Sequence, residues 1–218
     1  MKENLSIQFM VTRVFSLLIL SAITFSVCAS EKLEIPKGPG GKPDLNGVWQ
    51  VLNTANYNLE AHSASASLAM VEGPVVPIPH PSIVALGTVG SVPAGLGVVE
   101  GGTIPYKRGA LKQRDENKKN WIDRDPEIKC YLPGVPRATY MNFPFQIFHS
   151  EKAIFFAYEY AGAVRNIYLE DPGPAPVDSW MGQSWGYWED NTLVIEVTGF
   201  NDQTWFDRSG NFHSDQLK

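Results

Sequence analysis

The chain has 218 residues, with 18 Lys and Arg against 23 Asp and Glu and a formal net charge of -5. With no basic patch and no long run of like charge, this composition excludes a nucleic-acid binder, and Gly 19 with Pro 16 favours turns over an all-helical bundle. A single domain is the expectation at this length. Its core would be large enough to need no disulfide scaffold, which the two cysteines could hardly supply.

Lys2 and Arg13 precede the apolar run Val14-Phe15-Ser16-Leu17-Leu18-Ile19-Leu20-Ser21-Ala22-Ile23, too short to span a bilayer as a helix and long enough for a signal-peptide core. The small-x-small pattern Val27-Cys28-Ala29 places cleavage after Ala29. Residues 1–29 are therefore read as a signal peptide, residues 30–44 as a flexible N-terminal linker and residues 45–218 as one β-rich domain. The expected location is periplasmic or secreted, with no integral membrane span after signal removal. A rival reading takes Cys28 as a lipidated cysteine, but Val27 stands where a lipoprotein signal carries Gly, Ala or Ser, and Phe25 replaces the usual Leu. After cleavage Cys130 is the lone thiol, expected to be buried as a small hydrophobe.

Along the remaining chain, Gly47-Val48-Trp49-Gln50-Val51-Leu52 reads as the first strand. Residues 58–69 are rich in Ala and Ser and predict one weak helix. Residues 73–103 alternate Val, Pro and Gly without a period, which predicts a loop laid over a hydrophobic opening. Residues 108–122 carry Leu111, Arg114, Lys118 and Trp121 at helical spacing, so a short surface helix is expected there, ended by Asp125-Pro126. Cys130-Tyr131-Leu132-Pro133-Gly134-Val135-Pro136-Arg137 predicts an ordered turn. The period then changes to two, with strands over 143–149, 153–160 and 163–169. Asp171-Pro172-Gly173-Pro174-Ala175-Pro176 breaks the chain, and 184–188 with 192–198 form the clearest hairpin. Short turns in sequence order predict an antiparallel meander, mainly β, closing into a barrel or half-barrel.

Gly47-x-Trp49 before a meander resembles the opening of the lipocalin-like (calycin) superfamily. The runs 130–137, Phe143-Pro144-Phe145-Gln146-Ile147, Trp180-Met181-Gly182, 188–194 and 199–215 are similar to a family of uncharacterised secreted bacterial proteins. That resemblance covers most of the chain from Leu45 onward and implies fold and export, with no activity to carry over. Family members continue past His213-Ser214-Asp215 with further strands, so it also implies a C-terminally truncated domain.

The densest polar cluster is Asn201, Asp202, Trp205, Asp207, Arg208, Asn211, His213 and Asp215. His213 is the best general base by intrinsic pKa, and Asp207 or Asp215 would orient its ring. Arg208 or Arg165 would stabilise developing negative charge. The bland alternative is a turn with solvated charges, Gly210 supplying the positive φ. A metal site built from His213, Asp207 and Asp215 lacks a second nearby histidine, and neither metal nor cofactor is expected. Arg137 and Arg165 are candidates for a bidentate anion contact, against the commoner surface ion pair. Glu159, within an aromatic strand, is either a buried acid or an outward residue paired to a neighbour. Tyr158, Tyr160, Trp185, Trp188 and Trp205 are candidate ligand-binding aromatics, against a plain core role.

No nucleophile elbow, Walker loop, dinucleotide fingerprint or paired-histidine zinc motif occurs. The expected function is binding of a small apolar or amphipathic molecule in an aromatic-lined cavity. The alternative is a cofactor-independent hydrolase or isomerase using a His/Asp pair there, and a third is carbohydrate binding at an exposed Trp platform.

Overall fold

The computed structural model describes residues 34–65, 69–71, 78–80 and 92–218. The chain divides into two units, Met1–Pro36 and Lys37–Lys218, and the second holds every element described below. The signal segment, residues 1–29, and residues 73–77 and 81–91 of the apolar loop lie outside the described residues.

Alternating apolar residues build a six-stranded sheet from β1 (Gly47–Trp49), β4 (Phe145–His149), β5 (Ala153–Tyr158), β6 (Val164–Tyr168), β7 (Gln183–Glu189) and β8 (Thr192–Thr198), in that spatial order. Two short strands, β2 (Ala69–Val71) and β3 (Ile78–His80), pair separately as an antiparallel ribbon. The inward face carries Phe145, Ile147, Ile154, Phe156, Tyr158 and Ile167, all buried. Ile154 lies opposite Ile167 across β5 and β6, and burying each such side chain contributes about 1.5–3 kcal/mol. The same core cluster takes in Val135, Ala138, Met181 and Phe200 from outside the sheet.

The fold is mainly β, and the sheet is not closed: β1 and β8 are its two edges, which makes it a half-barrel. The meander is interrupted once. β6 and β7 pair parallel, through Ile167 with Ser184 and Tyr168 with Trp185, whereas every other pairing is antiparallel. Consecutive parallel strands cannot be joined by a tight turn and need a crossover of a dozen or more residues. Residues 169–182 provide it, and the prolines that marked a simple break belong to that excursion.

Three further expectations are corrected. Residues 58–65 form no helix; His62 and Ser65 make antiparallel bridges with Gly95 and Val92, a use of the backbone that small and hydroxyl residues concede readily. The helix expected over 108–122 is two, α1 (Ala110–Lys119) and α2 (Trp121–Arg124). Asn120 separates them, its side-chain amide donating to the Glu116 carbonyl at 2.8 Å and competing with the backbone ladder. Cys130 is exposed, not buried. A last short helix, α3 (Arg137–Tyr140), follows the cis Val135–Pro136 bond. Among the described residues no helix is long and apolar enough to cross a membrane.

Candidate functional site

Residues 200–218 form an irregular segment, packed against the core through Phe200 and Leu217, in which Asp207, Asn211 and His213 are all buried. Asp207 is an organiser of loops. Its Oδ1 accepts the backbone N–H groups of Ser209 at 2.9 Å and Asn211 at 3.3 Å. Its Oδ2 accepts the Leu59 N–H at 2.8 Å and the Asn211 side-chain amide at 2.6 Å. Burial pushes its pKa up, against donors that hold it down. The following turn brings Gly210 (φ +82°) so close to α1 that a Cβ there would stand 2.6 Å from the Lys118 nitrogen, and only glycine fits.

His213 is brought to neither Asp207 nor Asp215. Its Nδ1 lies 2.9 Å from the Ser214 carbonyl and its Nε2 2.6 Å from the Thr204 hydroxyl. The carbonyl can only accept, so Nδ1 carries the proton and Nε2 receives the Thr204 O–H. Hydroxyl, imidazole and carbonyl thus form a chain, but the hydroxyl that would act as nucleophile, on Thr204, is 1% exposed and so lies out of a substrate's reach. Asp215 is exposed. The ligand set His213, Asp207 and Asp215 is not assembled, and among the described residues no group of three or more His, Cys, Asp or Glu is placed to hold a metal ion.

Burial lowers the His213 pKa below 6.5, with the Ser214 contact acting in the opposite direction. The native state therefore binds this proton less readily than the unfolded chain. Its contribution to stability is fully present above 6.5 and is lost as the pH falls below that value. The urea midpoint is expected to fall on acidification from neutral pH, and less steeply in His213→Gln. Identical slopes for the two proteins would remove His213 from this account.

Arg137 and Arg208 are committed elsewhere. The Arg137 guanidinium, 1% exposed, forks onto both oxygens of Asp125 at 2.8 and 3.0 Å and reaches Glu127 at 2.6 Å. Arg208 grips the same Glu127 at 2.7 and 2.8 Å and lies over the Tyr57 ring. The Arg137 Nε donates to Asn56 at 2.8 Å, and Tyr160 donates to the Glu127 carbonyl. Buried Asp125, Glu127 and Arg137, with part-buried Arg208 at their edge, thereby match two anions with two cations, as buried charge requires. Glu127 is held below the usual carboxylate range by Arg208 and Arg137 in spite of its burial.

Arg165 differs. It projects to the inward side of β6 and is 8% exposed, yet it makes no ion pair among the described residues, where all five salt bridges involve other groups. Its Nε donates to the Ser184 hydroxyl at 2.8 Å, and the Tyr158 phenol beside it favours the cation that burial disfavours. Arg165 also lines a cleft of about 250 Å³. The cleft opens where β6 runs on without β7, between Val164, Arg165 and Asn166 on one side and Val177, Ser179 and Met181 of the crossover on the other.

Of the other predicted ligand-binding residues, Tyr158 lies next to Arg165 in the core. Trp188 packs inward against that core, 5.7 Å from the His149 ring, and Trp205 is buried. Trp185 projects to the opposite face of β7, beside Tyr187 at 5.1 Å. Glu159 is exposed, just past the end of β5, and Tyr160 is half-buried. Sequence reasoning missed Asp125, Glu127, Asn56, Thr204 and the crossover residues of the cleft. One signal was available: in β6, Arg165 shares the inward phase with Ile167, and in β7, Ser184 shares it with Gly186 and Trp188.

No family model, curated protein or solved structure matches the chain.

Proposed function

We propose that this protein binds a small amphipathic molecule in the cleft between β6 and the crossover. The observation that supports this is the cleft's composition. Val164, Val177 and Met181 offer an apolar wall while Asn166, Ser179 and Gln183 offer hydrogen-bonding groups, the mixture by which small-molecule sites combine affinity with orientation. The position fits as well, because an opened ladder leaves backbone groups of β6 unclaimed by a neighbouring strand. Export through the segment 1–29, and kinship with lipocalin-like binders, belong to the same proposal, which places the binding in a periplasmic or extracellular setting.

The test is a titration of eight-carbon amphiphiles into the purified protein, followed calorimetrically, with Val177→Trp as the blocked form. Val177 is 72% exposed at the cleft, so the larger side chain can fill the opening without disturbing the core. Saturable one-to-one binding that disappears in Val177→Trp, with the urea midpoint unchanged, is the expected result. Binding that survives the block would move the site elsewhere, and no binding at all would end the proposal.

A further inference from the structure

A guanidinium nine-tenths out of water normally lies against a carboxylate, since an uncompensated buried charge is among the most destabilising features a fold can hold. This protein follows that rule at Arg137 and breaks it at Arg165. There the neighbours are the Ser184 hydroxyl and the Tyr158 phenol; neither carries a negative charge, and among the described residues no acidic side chain lines the cleft.

We infer that the ligand's polar end is a carboxylate and that Arg165 is the residue that binds it. This rests on the cleft being the binding site. With Nε donating to Ser184 and the Tyr158 hydroxyl beside the guanidinium, the remaining N–H groups of the terminal nitrogens are the donors left for the ligand, and Ser184 fixes the plane of the fork. Among the described residues lining the cleft, Arg165 alone is charged. One cation balances a monoanion; a phosphate dianion would leave charge uncompensated in a half-buried place. The apolar wall of Val177 and Met181 then takes the remainder of the molecule, which makes the ligand class a small monocarboxylate with an apolar body.

The experiment compares octanoate with 1-octanol at neutral pH on the full chain, on Arg165→Gln and on Val177→Trp. Hydrogen bonds to charged groups predict that octanoate binds at least about tenfold tighter than octanol. Arg165→Gln should reduce octanoate to the level of octanol, and Val177→Trp should abolish both. Equal affinities for the two probes in the unsubstituted protein would overturn the carboxylate inference and leave the cleft as a binding site. Absence of both would overturn the binding proposal itself. Arg165→Gln removes an uncompensated charge, so its urea midpoint should not fall. Should that variant fail to fold, the two-probe comparison with the Val177→Trp control still decides, since it needs no change at Arg165.

Discussion

Replacing Arg137 with alanine is expected to be among the most damaging single changes this protein can suffer, at about 3–5 kcal/mol. For a chain of this size that corresponds to a fall in Tm of roughly 6–20 °C. The loss does not measure how favourable the network is, because burying the charges of Arg137, Asp125 and Glu127 costs much of what their attraction returns. It measures what remains afterwards: Asp125 at 0% and Glu127 at 6% exposure, with Glu127 keeping Arg208 and Asp125 keeping no cation. Arg208→Ala should do less harm, since that side chain is 30% exposed and water can replace part of what it supplies. Urea unfolding of both variants checks the order. An Arg208→Ala loss equal to or larger than that of Arg137→Ala would contradict this reading of the network.

Asp207→Ala is expected to destabilise by about 3 kcal/mol or more, because each buried donor left without an acceptor costs about 1–3 kcal/mol and four donors converge there. Asp207→Asn is the sharper probe. Both carboxylate oxygens accept two N–H groups each, so an amide nitrogen at either position faces two donors and repels them. The asparagine variant should therefore resemble alanine more than wild type, in spite of its nearly identical shape. A near-native unfolding midpoint for Asp207→Asn would show that the charge is dispensable and that the loops around Leu59 and Asn211 are held by other means.

The strands were legible because their alternation is local: Phe145, Ile147 and His149 against Gln146 and Phe148, or Ile154, Phe156 and Tyr158 against Phe155 and Ala157, can be read within six residues. What could not be read was any feature that depends on which distant residue arrives. Glu127 meets Arg208 only after the chain has returned from 81 residues further along, and although Arg137 follows Asp125 and Glu127 within a dozen residues, the intervening turn segment has no period from which their meeting could be read. The same holds for His213, whose proximity to Asp207 in sequence suggested a pair that the fold replaces with Thr204 and Ser214. The parallel seam escaped notice because proline-rich residues 171–176 look alike whether they close a turn or begin a crossover. Arg165 was singled out for its chemistry. Its place in the inward phase of β6 was visible in the alternation, but the lack of a counter-charge was not.

The pairing of β1 with β4 joins Gly47 to Ile147 and Trp49 to Phe145, so residues 50–144 form one excursion between two hydrogen-bonded neighbours. The entropy of closing such an excursion grows only with the logarithm of its length, and doubling it would add about 0.6 kcal/mol. Chain length within this excursion is therefore a weakly constrained variable, and insertions distant from Asn56, Asp125, Glu127 and Arg137 should be tolerated well. The constraint falls on the return point, where the Arg137 network and the β1–β4 ladder must close in register together.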